Sequence, residues 1–125
     1  MIYGIGTDIV AVARLQAMWD RHGMRAAEKI LAPVEIAALR ASTVQGRFLA
    51  KRFAAKEAFA KAYGTGIRGA LTLPAVAVTH DEWGKPMLCF HGQLAENIQN
   101  QGLIAHLSLS DEADFALAYV ILEKP

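Results

Sequence analysis

Residues 47–63 read RFLAKRFAAKEAFAKAY, a run free of glycine and proline and rich in strong helix formers. The pattern predicts the longest helix of the chain here, with Gly64 as its C-terminal stop. At ~100° per residue, Phe48, Leu49, Phe53, Phe59 and Tyr63 share one arc, the side that meets a core. Arg52 and Lys56 fall inside the same arc. Two cations on the core side of a helix are costly unless an anion meets them. Either they snorkel to the rim with buried stems, or they hold an anionic ligand such as phosphate. Between Arg47 and Arg68 the bases are Arg47, Lys51, Arg52, Lys56, Lys61 and Arg68, and Glu57 is the only acid. Glu57 pairs with Lys61 one turn on or serves as a metal ligand.

Upstream, residues 2–12 (IYGIGTDIVAV) read as a strand. Period two places Ile2, Gly4, Gly6, Asp8, Val10 and Val12 on one face, and Tyr3, Ile5, Thr7, Ile9 and Ala11 on the other. The two glycines leave room beside Asp8 for backbone or ligand. Asp8 is a lone acid in an apolar strand: it caps a nearby helix end, or with Glu57 it supplies the one or two carboxylates that Mg²⁺ takes from a protein. A helix follows to His22, then short helices over 24–31 and from Pro33 to about Ala41. Arg14, Met18, Arg21 and Arg25 form one stripe if helix continues through Gly23. That stripe is a solvated face, or a dock for an acidic amphipathic partner helix.

Downstream, strands are expected over 75–80, 87–91, 105–110 and 115–123, with a helix over 92–101. His106, Ser108 and Ser110 share a strand face, but no Gly-x-Ser-x-Gly elbow accompanies them, which argues against a hydrolase triad. Cys89 reads as a strand core residue, and His80 and His91 lack metal-ligand spacing. The order strand, helices, strands argues for an α+β fold: an antiparallel sheet packed with one long and several short helices, as a single domain over 1–125.

The chain has 125 residues and net charge +1, which excludes a basic nucleic-acid tail and disfavours nucleic-acid binding. One cysteine excludes an internal disulfide framework and a Cys-based zinc site, and points to a reducing compartment. No run is long and apolar enough for a membrane span, and the N-terminus lacks the basic region of a signal peptide; a soluble, cytoplasmic protein is expected. The apolar share of 54% hints at a buried subunit interface. Carboxylates and histidines are too few for a two-metal phosphohydrolase.

Four motifs in order resemble one family: GIGTDIV at 4–10, RFAAKEAF at 52–59 with Lys61 and GTGI at 64–67, WGKP at 83–86, and HLSLS at 106–110. The chain resembles the bacterial holo-[acyl-carrier-protein] synthases, small 4′-phosphopantetheinyl transferases, from residue 2 to about 123. The resemblance implies a single domain of that type. It would move phosphopantetheine from coenzyme A to a serine of apo acyl carrier protein, in fatty acid biosynthesis, releasing adenosine 3′,5′-bisphosphate.

On this resemblance, Asp8 and Glu57 would hold Mg²⁺, and Arg52, Lys56 and Lys61 would contact phosphate, Lys61 counting with the two acids as catalytic. Gly64, Gly84, Lys85, Pro86 and His106 would line the nucleotide pocket, and Arg14, Met18, Arg21 and Arg25 would dock the acidic carrier protein. A homotrimer with active sites between subunits is also implied. The chain departs from many members at Ala11, Ala60 and Asp111, where an acid, a serine and a histidine are common. The acceptor of the serine proton is left open. The other reading is a non-catalytic trimeric docking module, which has no need of Asp8 in its strand or of inward-facing Arg52 and Lys56.

Overall fold

The computed structural model describes all residues, Met1–Pro125. Strand β1 spans Ile2–Ala11, and helices α1 (Val12–His22), α2 (Met24–Ile30), α3 (Pro33–Arg40) and α4 (Gln45–Tyr63) follow. A 3₁₀ turn at Leu73–Ala75 leads into β2 (Val76–His80), β3 (Pro86–Phe90), α5 (Gly92–Gln101), β4 (Ile104–Asp111) and β5 (Phe115–Glu123). The expected elements are all present, with ends shifted by a few residues. Pro74 lies in the 3₁₀ turn, and β2 begins at Val76 where a strand from residue 75 was expected.

The expected antiparallel sheet is divided in two. One has the order β1-β5-β4, and the other is the β2–β3 hairpin. Both are antiparallel, with Asp8 opposite Ala118 and His106 opposite Ile121.

Helix α4 lies across the inner face of the larger sheet, where Val10, Ala116, Ala118, Val120 and Leu122 are buried. Its contacting side is built of small residues, Ala54, Ala55, Ala58 and Ala62, beside the fully buried Leu49 and Phe59. Glycines let the backbones meet: a Cβ on Gly4 would stand 2.0 Å from the Ala62 carbonyl oxygen, and one on Gly6 2.0 Å from that of Ala58. The room beside Asp8 is therefore filled by the α4 backbone. Each large apolar side chain buried here contributes roughly 1.5–3 kcal/mol.

The outer face of the same sheet is uncovered. Ile5, Ile9, Phe115, Leu117 and Tyr119 are exposed on it, as period two dictates once the inner face is spent on α4. No helix is long and apolar enough to cross a membrane.

Candidate active site

The close packing of β1 on α4 brings Asp8, Glu57 and Lys61 together. Asp8 is partly buried on the inner face of β1, and Lys61 Nζ lies 3.3 Å from its Oδ1. The same ammonium donates to the Thr7 carbonyl oxygen at 2.9 Å. Asp8 Oδ2 is buried and has no hydrogen-bond partner. Burial pushes the Glu57 carboxyl above the usual range, and repulsion from Asp8 pushes it further, while Lys61 and Arg14 pull it down. Two carboxylates that repel each other, one with an orphaned buried oxygen, form a donor set that suits a hard divalent cation completed by outside oxygens. The helix-end reading of Asp8 is not realised, since α1 carries no side-chain cap. Beside this group a cavity of about 270 Å³ is lined by Ile5, Gly6, Thr7, Lys61 and Tyr119. Gly64 ends α4 just beyond Lys61 in the left-handed region, φ 93°, where a side chain would be strained.

Lys85, Pro86 and His106 meet elsewhere. They line a cavity of about 320 Å³ between β3 and β4, with Leu88, Ala105 and Leu107 among the other walls. Gly84 sits at the hairpin turn with φ 83°. Asp81 Oδ1 fixes that turn by accepting from the backbone N–H groups of Trp83 and Lys85, at 2.8 and 2.9 Å. No cavity joins this group to Asp8, Glu57 and Lys61 within one chain. Tyr119 bridges them, facing the Lys61 cavity on one side and a smaller one shared with His106 on the other.

The inward cations Arg52 and Lys56 require a correction. Their anion comes from within the chain: Glu35 of α3, 1% exposed, a residue that the sequence reading missed. Lys56 Nζ donates to Glu35 Oε1 at 2.6 Å and to the carbonyl oxygens of Ile30 and Leu73 at 2.5 and 3.0 Å. All three of its protons are spent, its side chain is fully buried, and no donor remains for phosphate. Burial still pushes this amine down to about 8, against the opposing pull of Glu35. Arg52 Nε lies 3.3 Å from Glu35 Oε2, and its guanidinium stacks 3.9 Å from the Phe48 ring centroid. Only 9% of the Arg52 side chain is exposed, so it reaches the surface at a rim. Glu35 also accepts from the Ala32 and Val78 N–H groups, tying α3 and β2 to α4. The one available signal was an acid at the third position after Ala32, within a helix opened by Pro33.

The basic stripe is also altered. Gly23, at φ 55° and ψ −131°, ends α1, so Arg25 belongs to α2 and no single helix carries all four residues. Met18 and Arg25 still share a cavity of about 270 Å³ with His22 and Lys29, and Arg21 borders Met18 in the next. Arg14 stands over the Phe53 ring at 5.2 Å and acts on Glu57, so the stripe ends beside the carboxylates. Asp111 lies 3.7 and 3.8 Å from Arg47 and Lys51, bound to the first half of α4. Cys89 is only partly buried and touches the Thr79 hydroxyl at 3.5 Å.

Residues 4–120 match the family model of the 4′-phosphopantetheinyl transferase superfamily. The holo-[acyl-carrier-protein] synthase of Dechloromonas aromatica is 67% identical, with 98% of each chain aligned. The crystal structure of holo-[acyl-carrier-protein] synthase from Neisseria meningitidis superposes with a TM-score of 0.94 at 46% identity, covering 99% of this chain and 100% of that one. The Bacillus anthracis holo-(acyl-carrier-protein) synthase in complex with CoA (3′,5′-ADP) gives 0.84 at 36% identity, covering 100% and 99%. A match over nearly the whole length, in sequence and in backbone course alike, leaves one assignment: the chain belongs to the 4′-phosphopantetheinyl transferase superfamily.

Proposed function

We infer that this chain is a holo-[acyl-carrier-protein] synthase, transferring 4′-phosphopantetheine from coenzyme A to a serine of apo acyl carrier protein. The observation that carries the reading is the meeting of Asp8, Glu57 and Lys61 at the β1–α4 contact, within a full-length match to synthases of that name. In the reaction the serine oxygen attacks the β-phosphorus, the bond to the bridging oxygen breaks, and adenosine 3′,5′-bisphosphate leaves while the serine proton passes to a base.

We propose Asp8 and Glu57 as the holders of Mg²⁺; when bound, the ion would neutralise pyrophosphate charge as it shifts to the leaving phosphate. The orphaned Asp8 Oδ2 and the upward push on Glu57 support this pair. Lys61, more than half exposed at its side chain, can exchange its contact with Asp8 for a phosphate oxygen. Gly64, Gly84, Lys85, Pro86 and His106 are proposed for the nucleotide, with Arg52 at the rim; Lys56, its three protons spent inside the chain, takes no part. Arg14, Met18, Arg21 and Arg25 are proposed to dock the acidic carrier protein.

A homotrimer is part of the proposal. The apolar outer sheet face lies between the Lys61 and His106 groups, and covering it with a second chain would join one subunit's carboxylates to another's nucleotide residues. The cytoplasm is the proposed compartment, in keeping with the lone cysteine.

The test is intact-mass spectrometry of apo acyl carrier protein after incubation with this protein, coenzyme A and Mg²⁺, beside a chelator control. A carrier heavier by one phosphopantetheine, only without chelator, is the expected result. An unchanged carrier that still co-elutes with the protein sinks the transferase reading.

A further inference from the structure

His106 and Glu123 lie on the outer face of adjacent strands. Ile121 stands opposite His106, and Glu123 is two residues further along β5 on the same face, a diagonal neighbour within reach of long side chains. His106 Nε2 lies 3.0 Å from Glu123 Oε1. A carboxylate can only accept, so this contact puts a proton on Nε2, fixes the ring plane and turns Nδ1 outward, where it donates once the ring is an imidazolium. The same ring lines the cavity that Lys85 and Pro86 share. Both partners are about half exposed, and an exposed pair of this kind adds little to stability, ~0–1 kcal/mol. Its effect on a ligand can therefore be measured without losing the fold.

We propose that Glu123 is a positioning residue: by accepting from His106 Nε2–H, it turns the opposite edge of the imidazolium, Nδ1–H, to donate to the nucleotide phosphates of coenzyme A beside Lys85. The proposal rests on reading the β3–β4 cavity as the nucleotide half of the site.

The experiment compares wild type, Glu123→Ala, Glu123→Gln, His106→Ala and the His106→Ala/Glu123→Ala double variant. It measures KM for coenzyme A, KM for carrier protein and inhibition by adenosine 3′,5′-bisphosphate, with thermal melting as a fold check. Glu123→Ala is expected to raise KM for coenzyme A and the inhibition constant roughly fivefold, the value of one net hydrogen bond, with carrier KM unchanged. Glu123→Gln, which keeps an acceptor at the same reach, should restore most of that loss. In the His106→Ala background the Glu123 change should add nothing. Nitrogen-15 spectra of wild type with adenosine 3′,5′-bisphosphate bound should show His106 protonated on both Nε2 and Nδ1.

If His106→Ala weakens coenzyme A binding and Glu123→Ala does not, the positioning role is overturned while the cavity reading stands. An additional loss in the double variant, or a His106 ring protonated on one nitrogen alone in that complex, also overturns it. If His106→Ala changes neither constant, the cavity reading fails and the proposal falls with it.

Discussion

Asp8 and Glu57 look alike in sequence, yet their surroundings give them different tasks. Asp8 offers one oxygen to Lys61 and keeps the other buried without a partner, while Glu57 is driven toward its neutral form by burial and by Asp8. A divalent cation would relieve both at once. Asp8→Asn and Glu57→Gln should each cut turnover at least ~100-fold, a loss of several kcal/mol of charge stabilisation, with circular dichroism unchanged. Full activity of either variant at low Mg²⁺ would remove the metal role. Asp8 and Glu57 were both readable as out-of-place residues, but Glu35 was not: an acid in a short helix looks ordinary until its burial is known.

At the scale of elements, α4 is fixed by charge as well as by packing. Lys56 and Arg52 reach through the core to Glu35, which also binds the backbone of α3 and β2. Removing the ammonium leaves Glu35 with Arg52 alone and takes the donor from the Ile30 and Leu73 carbonyls, so Lys56→Met should cost about 3 kcal/mol in urea unfolding near neutral pH. The Lys56 amine, held near 8 when folded against 10.5 for an ordinary lysine, releases its proton first in the folded state. The unfolded chain then binds more protons in that window, so this group makes stability rise from about pH 8 to 10.5. The difference in stability between wild type and Lys56→Met should widen over that range; a constant difference would contradict the assignment. The α1–α2 surface yields a separate expectation. Arg21→Ala should raise KM for carrier protein severalfold, about 1 kcal/mol, with less effect as salt rises and none on KM for coenzyme A. An equal rise in both constants would contradict docking there.

For the whole molecule the sheet's outer face is decisive. Ile9 is 62% exposed and Leu117 40%, beside Ile5, Phe115 and Tyr119, more apolar surface than a lone soluble chain usually leaves open. If this face builds the proposed homotrimer, Ile9→Asp or Leu117→Lys should shift sedimentation from trimer toward monomer. Activity should fall at least ~10-fold at low protein concentration, although neither residue touches the proposed metal or nucleotide positions. A trimer that persists with full activity in both variants would show that this face does not build the site.

The sequence by itself determined the period-two strand carrying Asp8, the long helix carrying Glu57 and Lys61, and the α+β order of elements. These depend on local periodicity and on glycines placed where backbones must touch, as at Gly4 and Gly6. It also made Arg52 and Lys56 stand out as anomalous. Only the tertiary structure decided what answers them: Glu35 lies far from Lys56 in sequence and is brought to it where α3 meets β2. The end of α1 at Gly23 was legible from the glycine itself, and the structure bears it out, so the single stripe that a continuous helix would have made is not formed. Charge partners distant in sequence are set by how elements meet, and no periodicity records that.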